Sequence, residues 1–296
     1  ISWTLVTDSA PWLGRRGHSV IIFDDGSGEA LYLIGGFSVD EDSGYRQYNN
    51  DVWKSTDGHD WTQLKENSDA PYDSDTDWLS RMHHKTVTAE HNGVNYIYLI
   101  GGRHMKENVN GLHSTKYFND VWRSPDGQVW ERVLNNNFGI RAEHAVTVSP
   151  EGKIYIQGGV HGIIFDSEDN SAHPIADWHH LWTSSDGENW EKEQDFEQVE
   201  ENMLWRSGHE MVYYKDKIWA LPGKNTSNQH YGFTKSENYS TWTQDKSGNW
   251  TMDSFGTAID ARHGYSALTF KDKIWVIGGF TNSNGQSNDV WAGSLN

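Results

Sequence analysis

Short apolar runs alternate with turns rich in glycine, asparagine and aspartate along the whole chain, and each run has the length and composition of a strand. His18-Ser-Val-Ile-Ile-Phe23 is β-branched and aromatic, as a strand should be. Asp24-Asp-Gly26-Ser-Gly28 is turn chemistry. Ala30-Leu-Tyr-Leu-Ile34 is a near-continuous apolar run, expected of a strand covered on both faces. Gly35-Gly36 closes it, where glycine lets backbones approach. A polar loop from Phe37 to Asn49 is expected to lead to a third strand at Asn50-Asp-Val-Trp53. Ser55-Thr-Asp57-Gly58-His-Asp-Trp61 then makes a tight hairpin turn, and Trp61-Thr-Gln-Leu64 an outer strand.

The same order of signals recurs from anchors at His18, His84, His144, His209 and Tyr265, each three residues after an arginine. A supersecondary unit repeated at this length marks the blade of a β-propeller. The spacing predicts an all-β, five-bladed propeller in one domain over 1–296. The blades are expected at about 15–64, 81–134, 141–193, 206–244 and 262–296. The fifth repeat is expected to lack an outer strand of its own. Residues 1–7, with Ser2-Trp3-Thr4-Leu5 matching Trp61-Thr62-Gln63, are expected to supply it and close the ring. The fourth repeat is looser. Pro222-Gly223 replaces Gly-Gly, and His230-Tyr231 with Phe233 stands in for Asn-Asp-Val-Trp.

Composition narrows the classes. The chain has no cysteine, which excludes disulfides and thiol chemistry. Its net charge of −18 argues against nucleic acid and anionic membrane as partners. No apolar run approaches the length of a membrane-spanning helix, and no charged-then-apolar leader opens the sequence. The acidic, cysteine-free, tryptophan-rich composition suggests a periplasmic or secreted protein, and a monomer is expected.

The Gly-Gly followed at blade spacing by Trp resembles the kelch repeat, the blade type of the galactose oxidase central domain. The Ser-x-Asp-Gly-x-x-Trp turn resembles a shortened Asp-box, and the likeness covers essentially the whole chain. Kelch propellers include enzymes, sugar mutarotases, metal-assisted specifier proteins and protein-binding modules, so the resemblance implies a fold and leaves the activity open. A copper–radical oxidase is excluded, because its tyrosine–cysteine crosslink needs a cysteine.

In such a propeller the Arg-x-x-His segments converge on one mouth of the central channel, with the long loops 37–49, 103–118 and 160–178. Arg15, Arg81, Arg141, Arg206 and Arg262, with Arg16 and Arg103 nearby, would then form a cationic ring suited to carboxylates. The bland alternative is that each arginine braces the loop before it. Trp12, Trp78, Phe138 and Trp205 sit close before those arginines and would stack on a sugar or pack between blades. His84, His144, His209 and Tyr265 begin inner strands, and His104 and His161 follow Gly-Gly pairs. His180 and Tyr231 stand where other repeats have aspartate. Imidazole transfers protons near neutrality and also binds metal. No His-x-x-x-His spacing and no cofactor motif appears, so no cofactor is indicated, while a divalent metal stays compatible with the imidazoles.

These residues lead to an enzyme acting on an anionic small molecule or uronate-type sugar by proton transfer, of lyase, epimerase, mutarotase or cyclase type. His144, His209 and Tyr265 would be catalytic. The five arginines would bind substrate with Trp12, Trp78, Trp205, His84, His161, His180 and Tyr231. The alternatives are a non-catalytic carbohydrate-binding propeller and, after it, a protein-interaction scaffold.

Overall fold

The computed structural model describes residues 10–13, 15–39, 46–70, 74–107, 113–134, 137–160, 163–165, 172–174, 181–194, 206–225, 237–238, 241–253, 262–263, 265–270, 272–281 and 285–294. These residues are strands and turns, with no helix among them. They form eight antiparallel sheets, five larger ones of four or five strands and three smaller ones of two or three. The expected closing strand at 1–7 lies outside the described residues.

The chain divides into two compact units, Ile1–Ala142 with Asp186–Asn189, and Glu143–Ser185 with Trp190–Asn296. The first unit holds two of the larger sheets. One runs Ser19–Asp24, Glu29–Val39, Arg46–Ser55 and Thr62–Lys65, with Arg15–Arg16 added beside Glu29–Val39. The other runs Lys85–His91, Val94–Ile100, Val121–Ser124 and Glu131–Val133. The run Ile97 to Ile100 is fully buried, as its unbroken apolar pattern requires. Tyr32, Ile34, Val52, Ile97, Leu99, Trp122 and Trp130 form one core between these sheets. The second unit holds three of the larger sheets, whose second strands are Ile154–Gln157, Lys217–Ala220 and Lys273–Thr281.

The Ser-x-Asp-Gly-x-x-Trp turns are built from their own side chains. Ser55 Oγ accepts the Gly58 amide at 2.8 Å, and Asp57 Oδ1 accepts the amides of His59 and Asp60 at 2.8 and 2.9 Å. The Trp61 indole returns a hydrogen bond to Gly58 O at 2.9 Å. Ser124, Asp126 and Trp130 repeat all of this around Gly127. Two of these turns also cover a tyrosine of the preceding sheet. Gly127 lies on Tyr32, and Gly187 lies on Tyr98, whose hydroxyl donates to Asp186 O at 3.2 Å. That contact ties 186–189 to the first unit. Gly187 has φ +73°, and a Cβ there would overlap the Tyr98 ring. Gly187→Ala is therefore expected to lose about 2 kcal/mol through strain and overpacking together. A urea-unfolding midpoint within error of wild type would show that the turn relaxes freely.

Two expectations change. The segments 37–49 and 103–118 are largely strand: Phe37 pairs with Tyr48, and Arg103–Glu107 pairs with His113–Tyr117. Polar composition hid the alternation of Phe37-Ser38-Val39 and Arg46-Gln47-Tyr48. In the fourth sheet the register Ala220↔Trp242 puts Trp242 where Leu33↔Trp53 puts Trp53. The counterparts of Asn50-Asp51 are then Tyr239-Ser240 rather than His230-Tyr231. That sheet also continues past 244 to an outer strand at Trp250–Asp253.

Candidate functional site

The repeated arginine is a brace wherever its side chain is described with its partners. Arg15 grips Asp51 with both guanidinium nitrogens, at 2.7 and 2.9 Å, and donates to Gly35 O at 3.0 Å. Arg81 grips Asp120 in the same way at 2.5 and 2.8 Å, and donates to Gly101 O and Leu79 O, both at 2.9 Å. The aspartate is that of Asn-Asp-Val-Trp, and it also accepts the indole of the tryptophan two residues on. The motif is thus one Arg–Asp–Trp unit locking the inner-strand entry to the third strand. Arg141 is fully buried, donates to Gly139 O at 3.1 Å, and burial lowers it to about 9. Arg206 and Arg262 are described in backbone only, paired with Asn225 and Thr281.

The imidazoles are packed too. His84, His144 and His209 are 1 %, 0 % and 0 % exposed. A Cβ at Gly35 would stand 3.0 Å from His84 Cε1, so the ring lies against the last turn of the preceding sheet's second strand. Tyr265, the fifth anchor, is buried and donates to Pro222 O at 2.7 Å. Pro222 holds in the fourth repeat the place of Gly35 in the first. Histidine and tyrosine therefore fill one seam position between sheets. Burial holds His84 well below its ordinary pKa, with Arg81 adding to the effect. Trp12 packs edge-on to Trp61 at 4.7 Å, and Trp78, fully buried, packs on Trp130 at 5.8 Å. Phe138 is fully buried. Trp205, His161, His180 and Tyr231 lie outside the described residues.

What the first unit leaves half-exposed at this end of its strands is a ladder of rings. Phe37 and Tyr48 are 4.8 Å apart, and Tyr48 and His104 4.6 Å apart. The guanidinium of Arg16 lies 5.5 Å from the Phe37 ring. His104 is oriented by Ser80, whose carbonyl is 2.7 Å from Nδ1. Burial raises the Tyr48 phenol while the charges of Arg103 and Arg16 oppose that rise, so both guanidinium groups act on one ring. The backbone beneath is stitched between sheets: Met82 and Arg103 exchange two hydrogen bonds of 2.9 Å, and His83 N donates to Gly17 O at 2.8 Å. Composition flagged Arg16, Arg103 and His104. Phe37 and Tyr48 were missed, and their cross-strand pairing was the signal that would have found them. Among the described residues no group of three metal-ligating side chains is assembled.

Residues 261–292 match the family model of the Kelch motif. Among solved structures, that of YjhT is similar, with a TM-score of 0.59 and 18 % identity over 93 % of this chain and 75 % of that one. No curated protein matches the sequence. One segment thus carries a Kelch motif, and the repeated four-stranded sheets with the likeness to YjhT give the chain an all-β propeller fold.

Proposed function

We propose that the protein binds an anionic sugar or glycan without transforming it, on the ladder of Phe37, Tyr48 and His104 flanked by Arg16 and Arg103. The observation that carries this reading is the contrast in exposure. The ladder is half-exposed, whereas His144, His209 and Tyr265 are 0 %, 0 % and 4 % exposed. A general acid or base must come within hydrogen-bond reach of the proton it moves, which a sequestered imidazole does not. Binding needs only what the surface offers. Aromatic faces take the apolar face of a sugar ring, and a guanidinium takes its carboxylate.

The test is titration with uronate oligosaccharides, sialic acids and neutral sugars, followed by proton NMR of the ligand. Saturable broadening by the carboxylated sugars is expected, with no new product. Tyr48→Ala and Arg16→Ala should each weaken binding about tenfold, the loss of one ring or one charge-assisted contact. A new product would return the protein to the enzymes of lyase or isomerase type. Undiminished binding in both variants would remove the ladder from the site.

A further inference from the structure

The internal repeats give a second site. In the first sheet Tyr32 and in the second Tyr98 stand three residues before the Gly-Gly pair. Both are fully buried, because the Asp-Gly turn of the following sheet lies on the ring, Gly127 on Tyr32 and Gly187 on Tyr98. Tyr155 holds the same place in the third sheet, but it is only half-buried. The cause is the next turn. Where its siblings read Ser-x-Asp-Gly-x-x-Trp, the fourth sheet reads Gln244-Asp-Lys246-Ser247-Gly248-Asn-Trp250. The glycine that should lie on the tyrosine is replaced by Ser247, and the turn-building aspartate by Lys246. The turn folds otherwise, around Asp245, whose Oδ1 accepts the amides of Ser247 and Asn249 at 2.8 and 3.0 Å. Between Tyr155, Tyr213 and this turn a cleft of about 470 Å³ is left open. It lies at the opposite ends of the strands from His144 and His209.

Volume and lining set the class of occupant. The cleft matches the lower part of the range for small-ligand sites, room for one or two sugar rings. The sheet keeps its own cation over the tyrosine: Lys153 lies 5.5 Å from the Tyr155 centroid, as Lys54 does from Tyr32. What is missing is the small aliphatic and peptide surface of the turn, and the CH face of a sugar ring supplies the same contact. Of the charged lining, Lys153 pairs with Glu193 and Lys246 with Asp216, which leaves the carboxylates of Glu151 and Asp245 in excess. The hydroxyl of Ser149 keeps Glu151 below its ordinary pKa, and the amide of Asn249 does so for Asp245, so both stay ionised. Surplus negative charge favours a cation and repels a carboxylate.

We infer that the cleft between the third and fourth sheets binds an amino sugar, its ring on Tyr155 and its ammonium toward Glu151 and Asp245. The site is independent of the ladder and prefers the opposite charge. Calorimetric titration of the full chain with glucosamine, glucose and glucuronate tests it. Glucosamine is expected to bind saturably and more tightly than glucose, and glucuronate not to bind at this site. Tyr155→Ala should weaken glucosamine at least tenfold, and Tyr48→Ala should leave it unchanged. The triple change Gln244→Ser, Lys246→Asp and Ser247→Gly rebuilds the sibling turn, and is expected to abolish glucosamine binding while the melting temperature holds or rises. Absence of glucosamine binding, glucose or (in the Tyr48→Ala variant, whose ladder is weakened) glucuronate binding as tightly as glucosamine, or full affinity in both Tyr155→Ala and the rebuilt turn would overturn the assignment.

Discussion

Replacing Arg81 with alanine is expected to cost about 3–5 kcal/mol of folding stability, the range for breaking a buried ion pair from one side. The arginine is 1 % exposed and makes two charge-assisted bonds to Asp120, two bonds to carbonyls, and a stacking contact with Phe118 at 3.8 Å. Burial by itself would raise the Asp120 carboxyl, and the charge and hydrogen bonds of Arg81, with the Trp122 indole and the charge of Arg132, together bring it below its ordinary value. Without Arg81 a carboxylate would be left in the interior with only the Trp122 indole as donor, at 2.9 Å. Arg81→Lys keeps the charge but not the fork, so roughly half the loss is expected to remain. The double variant Arg81→Ala with Asp120→Asn should be less damaged than the sum of its parts, because the second change removes the stranded charge. Urea unfolding at neutral pH measures all three. A loss below about 1 kcal/mol for Arg81→Ala would class the pair with surface ion pairs, and would return the arginine to the pool of ligand contacts.

This pair also shows which parts of the molecule the sequence displays. The strands and turns were legible because alternation, Gly-Gly and Asp-Gly act locally, each within a few residues. The facing of the arginines and histidines was not, since the period of a strand sets alternation but not which side meets the core. A basic ring in an acidic chain suggested a ligand, and the counter-charge was already present 39 residues on in Asp120. Tyr265 looked like a departure selected for chemistry. In the structure it reaches a carbonyl across the seam that His84 fills by packing, and the substitution follows the change from Gly-Gly to Pro222-Gly223. The fourth repeat was misaligned because Phe233 imitates the motif tryptophan, whereas strand register identifies Trp242. The Tyr155 cleft was not visible from the tyrosine itself, which looks like its siblings. It follows from the turn 90 residues later that fails to cover it, a relation that only the pairing of sheets reveals.

Acid is expected to destabilise the first unit well before its carboxylates titrate. His84 is buried, and burial, then the charge of Arg81, hold it well below the ordinary 6.5, with smaller contributions from His18 and His83 against the Ile34 carbonyl. His18 is lowered to about 4 by burial and then by Arg15, with Asp51 opposing. In this window the unfolded chain binds protons at both imidazoles and the folded chain does not. The stability is therefore complete above pH 6.5 and falls as pH drops toward the folded values, by up to about 1.4 kcal/mol per pH unit for each site. Asp120, also held below its ordinary 3.8, adds its own loss only beneath that value, so the two windows are separate. The fall in the urea midpoint between pH 6.5 and 4 is thus an imidazole effect. His84→Gln supplies the control. At pH 7.5 it should be less stable than wild type because the seam is repacked, and its midpoint should fall more gently on acidification, so the two curves converge by pH 4.5. Parallel curves would mean that His84 takes up its proton within the fold. The seam would then be open to water, and the repeated histidines would regain the access that proton transfer requires.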